Sequence, residues 1–259
     1  MENSSGIKSF FEYLPVSIRF HKLKSEGLAR LIFITVLLTQ MAGNYIQYKI
    51  MHLVSSEDLS LLLSALTVTV TSEEAKTAEK TILPMLMVAG VTLIIKLISN
   101  LLFSVYMYSY IAELRGKASG ILDSFKGAFK HPVRLIVYNI LFGLLVLMGL
   151  MFFFIPGIIA YIIFIFGFCY VIDLKLNVSE AFTASSDITK GKKIQIASVF
   201  IGFYLMFELP IALLISGSSL GSAYLASFFS TIAGLILQRL ITQLYMDLEY
   251  RKERSVKQK

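Results

Sequence analysis

Apolar runs of about 20 residues recur along the chain, and this feature restricts the possible folds more than any other. A helix of about 20 apolar residues spans the roughly 30 Å hydrocarbon core of a bilayer. The runs predict six such helices, at about residues 31–51, 83–108, 135–154, 157–173, 194–215 and 223–246. We therefore expect an all-α fold, a polytopic transmembrane helical bundle of six spans.

The composition agrees with a membrane protein. Of the 259 residues, 56% are hydrophobic and only 16% are charged, which gives more apolar surface than one soluble core could bury. The polar sequence near the two ends divides the chain into three parts. These are an amphipathic segment at residues 1–30, a membrane domain at 31–250 and a basic tail at 251–259.

Lysine and arginine are distributed unevenly around the predicted spans. All but four of the 24 fall at one end of a six-span bundle, the exceptions being Lys49, Lys76, Lys80 and Lys96. The positive-inside rule places this end, with both termini, in the cytoplasm. Its loops should attract anionic lipid headgroups. Nucleic acid is not an expected partner, because basic and aromatic residues are not interleaved.

Short amphipathic segments precede three of the spans. They lie at residues 7–20, 118–130 and 178–189, and their apolar side chains recur at helical spacing. Such segments predict short helices on the cytoplasmic membrane surface, and Pro15 should bend or break the first. A further apolar stretch at residues 59–70 would reach only about 18 Å as a helix, too short to cross the membrane.

Two local features give predictions of their own. Pro156 and Gly157 lie in the middle of the long apolar sequence 135–172, where they should form the turn of a hairpin between spans three and four. Tyr110, Tyr245 and Tyr250 lie near the cytoplasmic span ends and are expected to be interfacial anchors.

Polar side chains inside the spans are the candidate site. Lys96 and Asn100 lie four residues apart in span two, Glu208 lies in span five, and Gln40 and Asn44 lie in span one. A charge in the bilayer costs at least about 2.5 kcal/mol, so it requires an explanation. One interpretation is a polar site that binds an amphiphilic substrate. The other is a structural ion pair that holds two helices together.

No motif in the chain indicates catalysis or a metal. Its three histidines fall in separate segments without a second ligand at metal spacing, and Cys169 is the only cysteine. No nucleophile elbow, phosphate-binding loop or paired-carboxylate motif is present. We therefore predict a protein that is not an enzyme and has no cofactor, with Cys169 in a packing role.

The second half of the chain resembles a known group of proteins. An IPG sequence at Ile155 to Gly157 is followed by a loop and by a final Tyr-x-Asp-Leu segment. The matching positions are Pro156, Gly157, Glu180, Ala181, Ser185, Thr189, Lys190, Gly191, Tyr245, Asp247 and Leu248. Over residues 110 to 250 the chain resembles bacterial six-span families allied to the membrane domain of glycerophosphoryl diester phosphodiesterases. The resemblance implies a multi-pass protein of the bacterial cytoplasmic membrane and no reaction.

These features leave two functions open. The first is transport of a lipid, peptide or other amphiphilic cargo, or scaffolding around it, by a protein without enzymatic activity. The second is the permease subunit of an ABC exporter, which would require a separate ATPase because this chain has no phosphate-binding loop. A lipid-modifying enzyme has no motif to support it.

Overall fold

The structure is a computed structural model that describes residues 7–52, 72–117, 120–152, 154–214 and 219–257. Within these ranges the chain is helical and contains no strand. The helices are α1 (Phe10–Ser17), α2 (Glu26–Met51), α3 (Ser72–Leu114), α4 (Ile121–Ala128), α5 (Pro132–Phe152), α6 (Phe154–Phe164), α7 (Gly167–Asp173), α8 (Val178–Thr189), α9 (Lys193–Phe203), α10 (Leu209–Leu214) and α11 (Leu220–Lys257). A π-helical turn, Tyr204–Glu208, joins α9 to α10.

Six helical stretches are long and apolar enough to cross a membrane, which confirms the prediction of a helical fold with six spans. They are Gly27–Met51, Pro84–Leu114, Pro132–Phe152, Ile155–Asp173, Lys193–Leu213 and Leu220–Tyr250. The chain is therefore a multi-pass integral membrane protein. The short helices α1, α4 and α8 occupy the three predicted amphipathic segments. The apolar stretch 59–70 lies outside the described residues.

The bundle packs tightly at one end and loosely at the other. We call the tight end the basic end. It is where α1, α4, α8 and residues 239–250 of α11 meet. The buried hydrophobic side chains of α11 lie between Ala233 and Leu248, and they join both hydrophobic clusters of the core. Towards the other end, apolar side chains such as Leu93 and Met148 are more than half exposed. The loose half leaves room for a cavity between the spans.

Helix α1 is docked on the bundle. Phe10 and Tyr13 are buried against α9 and α11, and Gly202 makes room for them, because a Cβ there would lie 2.7 Å from Cγ of Phe10. Pro15 lies inside α1, which continues past it to Ser17, so the chain does not break there. The missing N–H of Pro15 removes one helical hydrogen bond.

The turn between spans three and four is not at Pro156 and Gly157, so that prediction is wrong. Helix α5 ends at Phe152 and α6 begins at Phe154, so both residues lie near the start of α6, where a proline N–H has no helical partner to lose. Gly157 instead permits a close approach of two helices. A Cβ on Gly149 of α5 would lie only 2.7 Å from the Cα of Gly157.

Gly149→Ala is expected to destabilise this hairpin, because the added methyl would meet backbone, which cannot rotate away. The cost should be about 1–3 kcal/mol, the usual range for overpacking. Gly143→Ala is the matched control in the same helix, where a Cβ meets no atom within 4 Å. Thermal unfolding in detergent should show a lower midpoint for Gly149→Ala alone. Equal midpoints would show that the contact contributes nothing.

Span four, which was predicted as one uninterrupted helix, is broken between α6 and α7. The carbonyls of Ile163 and Phe164 lose helical partners there. Ser185 of α8 donates to the first at 2.7 Å, and Tyr138 of α5 donates to the second at 2.5 Å. Gly167 is the first residue of α7. A larger residue would not fit there, because its Cβ would lie 1.8 Å from the Tyr138 hydroxyl. Side chains from two neighbouring helices thus satisfy the break.

Span five contains the π-helical turn immediately before Pro210. The Leu209 N–H donates to the Tyr204 carbonyl, five residues back. Because proline lacks an N–H and its ring clashes with the carbonyl four residues earlier, a wider turn relieves the contact. Glu208, the last residue of this turn, lines the cavity described below.

Candidate functional site

A polar cavity of about 490 Å³ lies in the loose half of the bundle. It is lined by the second half of α2, the middle of α3, the end of span five and the start of α11. Its lining residues are Gln40, Asn44, Gln47, Thr92, Ile95, Lys96, Ser99, Asn100, Phe103, Glu208, Ile211, Ala212, Ala226, Ser227 and Ser230. All five polar residues that the sequence placed in one site therefore meet here.

Lys96 and Glu208 line the polar cavity without forming an ion pair. Lys96 is exposed and Glu208 is half-buried. Among the described residues, the two salt bridges are Arg115 with Asp173 and Lys190 with Asp187. No hydrogen bond of the Lys96 ammonium or the Glu208 carboxylate is seen in that part of the chain. The structural interpretation, in which Glu208 neutralises Lys96, is therefore not what this structure contains.

Several amides of the polar cavity are held in place by neighbouring helices. Asn44 donates to the Ser227 hydroxyl at 2.7 Å and to the Ala223 carbonyl at 3.2 Å. The Gln40 side-chain amide lies 3.2 Å from the Thr231 hydroxyl, within hydrogen-bond distance. Gln47 donates to Thr92 at 2.9 Å. These bonds fix α2 against α3 and α11, so the wall of the cavity is preorganised.

Ser99 is the exception among the hydroxyl groups. Thr92, Ser104, Ser227 and Thr231 each donate to the carbonyl four residues earlier. Ser99 is only 5% exposed and lines the polar cavity, and its hydroxyl has no hydrogen-bond partner among the described residues. A buried hydroxyl without a partner is costly, so a bound molecule that hydrogen bonds to it would gain free energy.

Asn100 separates the polar cavity from a second one of about 190 Å³. The second cavity lies nearer the basic end, between α3, α5, α6, α7 and α11. Its polar lining residues are Asn100, Ser104, Tyr161 and Gln238, all of them uncharged. Asn100 donates to the Asn139 side chain of α5 at 3.1 Å. Asn100 therefore lies in the wall that the two cavities share, held by Asn139.

The lining residues that were not predicted follow a pattern visible in the sequence. Gln47 extends Gln40 and Asn44 at helical spacing, and Ser99 lies three residues after Lys96. Hydroxyl groups at helical spacing on α11 are easily overlooked, because serine and threonine are common in membrane helices. Counting polar residues along each helix face would have found them.

A second polar cluster fills the basic end, and it was not predicted. Tyr245 is fully buried and donates to Asp173 at 2.9 Å, while Arg115 pairs with the same carboxylate. Tyr13 of α1 donates to Asp247 at 2.9 Å. Tyr110 is also buried, so the prediction of interfacial anchors is wrong for Tyr110 and Tyr245. Their hydroxyls find partners inside the bundle.

Arg239 lies at the centre of this cluster. Its guanidinium is buried, donates to the Lys22 carbonyl at 3.1 Å and stacks 4.1 Å from the Tyr110 ring centre. Its Nε has no partner among the described groups. The cation thus joins the segment after α1 to α3 and α11 mainly through a carbonyl and an aromatic face.

Lys175 ties α4 to the end of α7. It adopts a left-handed φ of 58°, and its ammonium donates to the Gly127 and Ile172 carbonyls at 2.5 Å each. Burial lowers the pKa of this ammonium below its usual value. The strained backbone is therefore compensated by two charge-assisted hydrogen bonds.

The residues of the family-like loop lie away from the polar cavity. Glu180 completes a capping box with Asn177 at the start of α8, and Gly191 ends that segment with a φ of +74°. Lys190 pairs with Asp187 on the surface at 2.6 Å. Ser185 joins α8 to α6 through the Ile163 carbonyl, and Asp247 joins α11 to α1 through Tyr13.

Comparison with known protein families, curated proteins and solved structures finds no match to this chain. The resemblance to the membrane domain of glycerophosphoryl diester phosphodiesterases therefore stays a prediction.

Proposed function

We propose that this integral membrane protein is a transporter without enzymatic activity that binds an amphiphilic molecule, such as a lipid, in the polar cavity. The observation that carries the proposal is the cavity itself. Its volume of about 490 Å³ falls in the range of pockets that hold small molecules. Polar groups inside a membrane are expensive and tend to serve a function.

The lining of the polar cavity matches a molecule with a polar and an apolar part. Charged and amide groups come from α2, α3 and span five, while Phe103, Ile211 and Ala226 supply apolar surface. A headgroup could bind the polar side chains while a chain lies along the exposed apolar side chains of neighbouring spans. Such a division favours an amphiphile over a wholly polar solute.

The second cavity supports transport rather than binding alone. It continues from Asn100 towards the basic end and carries uncharged polar groups. Movement of the Asn100 and Asn139 side chains would join the two cavities into a path across the bundle. The packed cluster around Arg239 and Tyr245 closes the path at the basic end. A transporter that opens alternately to the two sides would need such a closed half.

We place the basic end in the cytoplasm of a bacterial cell, on the strength of its lysines and arginines. Leu122 and Lys126 are exposed on helix α4. Lys117 before the helix and Lys130 after it are exposed as well. An apolar side chain beside cations is suited to a surface of anionic headgroups. Anionic lipids are therefore the partners that we propose at this end.

Ala226→Phe is expected to block transport, because a phenyl group at this lining position would fill much of the polar cavity. The assay follows fluorescent phospholipids in reconstituted vesicles, with dithionite reporting their movement between leaflets. Transport should fall to the level of vesicles without protein. Leu225→Phe is the matched control. Leu225 is the residue before Ala226 on α11, is 58% exposed and lies outside the cavity lining.

Equal rates for Ala226→Phe and the unmodified protein would contradict the proposal. Transport that appears only after a separate ATPase is added would instead favour an ABC permease subunit. The vesicles should therefore be tested first without any ATPase, where we expect transport.

A further inference from the structure

We infer that the headgroup bound in the polar cavity is zwitterionic, with its cation at Glu208 and its anion at Lys96. This inference rests on the proposed function and specifies its substrate class. It comes from the two opposite charges that share one cavity and do not pair.

Two unpaired charges of opposite sign in one membrane cavity require a physical explanation. Charges inside membranes normally pair with each other or with carbonyls, because leaving them alone is costly. Lys96 lies on α3 and Glu208 ends the π-helical turn of span five, with α11 packed against both elements. The two side chains thus come from different walls, and neither has an ionic partner among the described residues.

A zwitterion would satisfy both walls at once. A ligand with only an anion would leave the Glu208 carboxylate beside a negative charge, and a cationic ligand would do the same to Lys96. A headgroup with an ammonium and a phosphate or carboxylate separated by a short linker avoids both repulsions. Charge-assisted hydrogen bonds to each end are also stronger than neutral ones.

The position of the Ser99 hydroxyl favours binding of the anionic group on the α3 side of the cavity. Ser99 lies three residues after Lys96, so the two residues share one helix face, and within the described part of the chain this buried hydroxyl has no hydrogen-bond partner. A hydroxyl donor next to an ammonium is suited to an oxyanion. The π-helical turn supports the other half, because such turns often aim side chains at functional sites.

Three single-chain amphiphiles with the same acyl chain test the inference. They are lysophosphatidylethanolamine, which is zwitterionic, lysophosphatidylglycerol, which is anionic, and the corresponding alkylammonium, which is cationic. Binding is measured by native mass spectrometry of the full protein in a neutral detergent. The unmodified protein should prefer the zwitterion to either other probe by about tenfold, the effect expected of one charge-assisted contact.

Charge-neutralising variants should remove this preference selectively. Glu208→Gln should bring the anionic probe level with the zwitterion, and Lys96→Met should do so for the cationic probe. Lys49→Met is the matched control, because Lys49 is exposed near the end of α2 and lies outside the cavity lining. It should leave the order of the three probes unchanged.

Two results would overturn the inference in distinguishable ways. If the unmodified protein binds the anionic probe as tightly as the zwitterion, the headgroup is not a zwitterion. The proposed transport of an amphiphile then still stands, provided that Ala226→Phe abolishes binding of that probe. If Ala226→Phe leaves binding of all three probes unchanged, they do not occupy the polar cavity, and the proposed function fails as well.

Discussion

Lys96→Met is expected to abolish transport while the protein remains folded and inserted. Lys96 has no ionic partner within the described residues, so its removal breaks no salt bridge there. Methionine keeps the length of the side chain and removes a charge whose insertion into a membrane costs about 2.5 kcal/mol or more. The variant should therefore unfold in detergent at a temperature no lower than that of the unmodified protein.

The measurements are flux in reconstituted vesicles and thermal unfolding of the same samples. A loss of flux with unchanged or raised stability would identify Lys96 as a functional residue. Unchanged flux would show that transport does not need the lysine. A large loss of stability would show that Lys96 has a structural role. We do not expect this, because Lys96 has no ionic partner among the described residues.

Asp173→Ala should cause the largest loss of stability among the substitutions considered. The Asp173 side chain is only 8% exposed and binds both Arg115 and Tyr245. Removing one member of a buried pair leaves the others without a partner and costs about 3–5 kcal/mol. Because Arg115 remains 36% exposed, we expect the lower end, about 3 kcal/mol.

Asp187→Ala is the control for that substitution. Asp187 forms the other salt bridge of the described chain, with Lys190, and both side chains are well exposed. Surface pairs of this kind contribute at most about 1 kcal/mol. Chemical unfolding in mixed micelles should therefore separate the two variants clearly. Similar losses would mean that the Asp173 cluster is not effectively buried.

The spans were predictable because the bilayer imposes a length on every helix that crosses it. The six runs needed no knowledge of packing, and the helices found at α2, α3 and α11 extend the predicted bounds into the polar ends. The meeting of Lys96, Asn100 and Glu208 in one cavity was also foreseeable, since the cost of polar groups in lipid drives them towards the bundle interior.

The interior of the basic end could not be predicted from the sequence. Tyr245 has the position and chemistry of an interfacial anchor, and only the tertiary arrangement brings its hydroxyl to Asp173. The sequence beside Pro156 likewise suggests that Gly157 is a turn residue. Its role is instead to let α6 approach Gly149 of the neighbouring helix closely. Each case involves a partner on another helix, which helical periodicity does not reveal.

Site mapping with a photoreactive lipid tests the central claim most directly. A phosphatidylethanolamine with a diazirine beside its headgroup is reconstituted with the protein, illuminated, and located on the chain by mass spectrometry. We predict adducts on the peptides around Lys96, Ser227 and Glu208, and their loss in Ala226→Phe but not in Leu225→Phe. Adducts spread evenly over the lipid-facing side chains, and unchanged in Ala226→Phe, would contradict a binding site in the polar cavity.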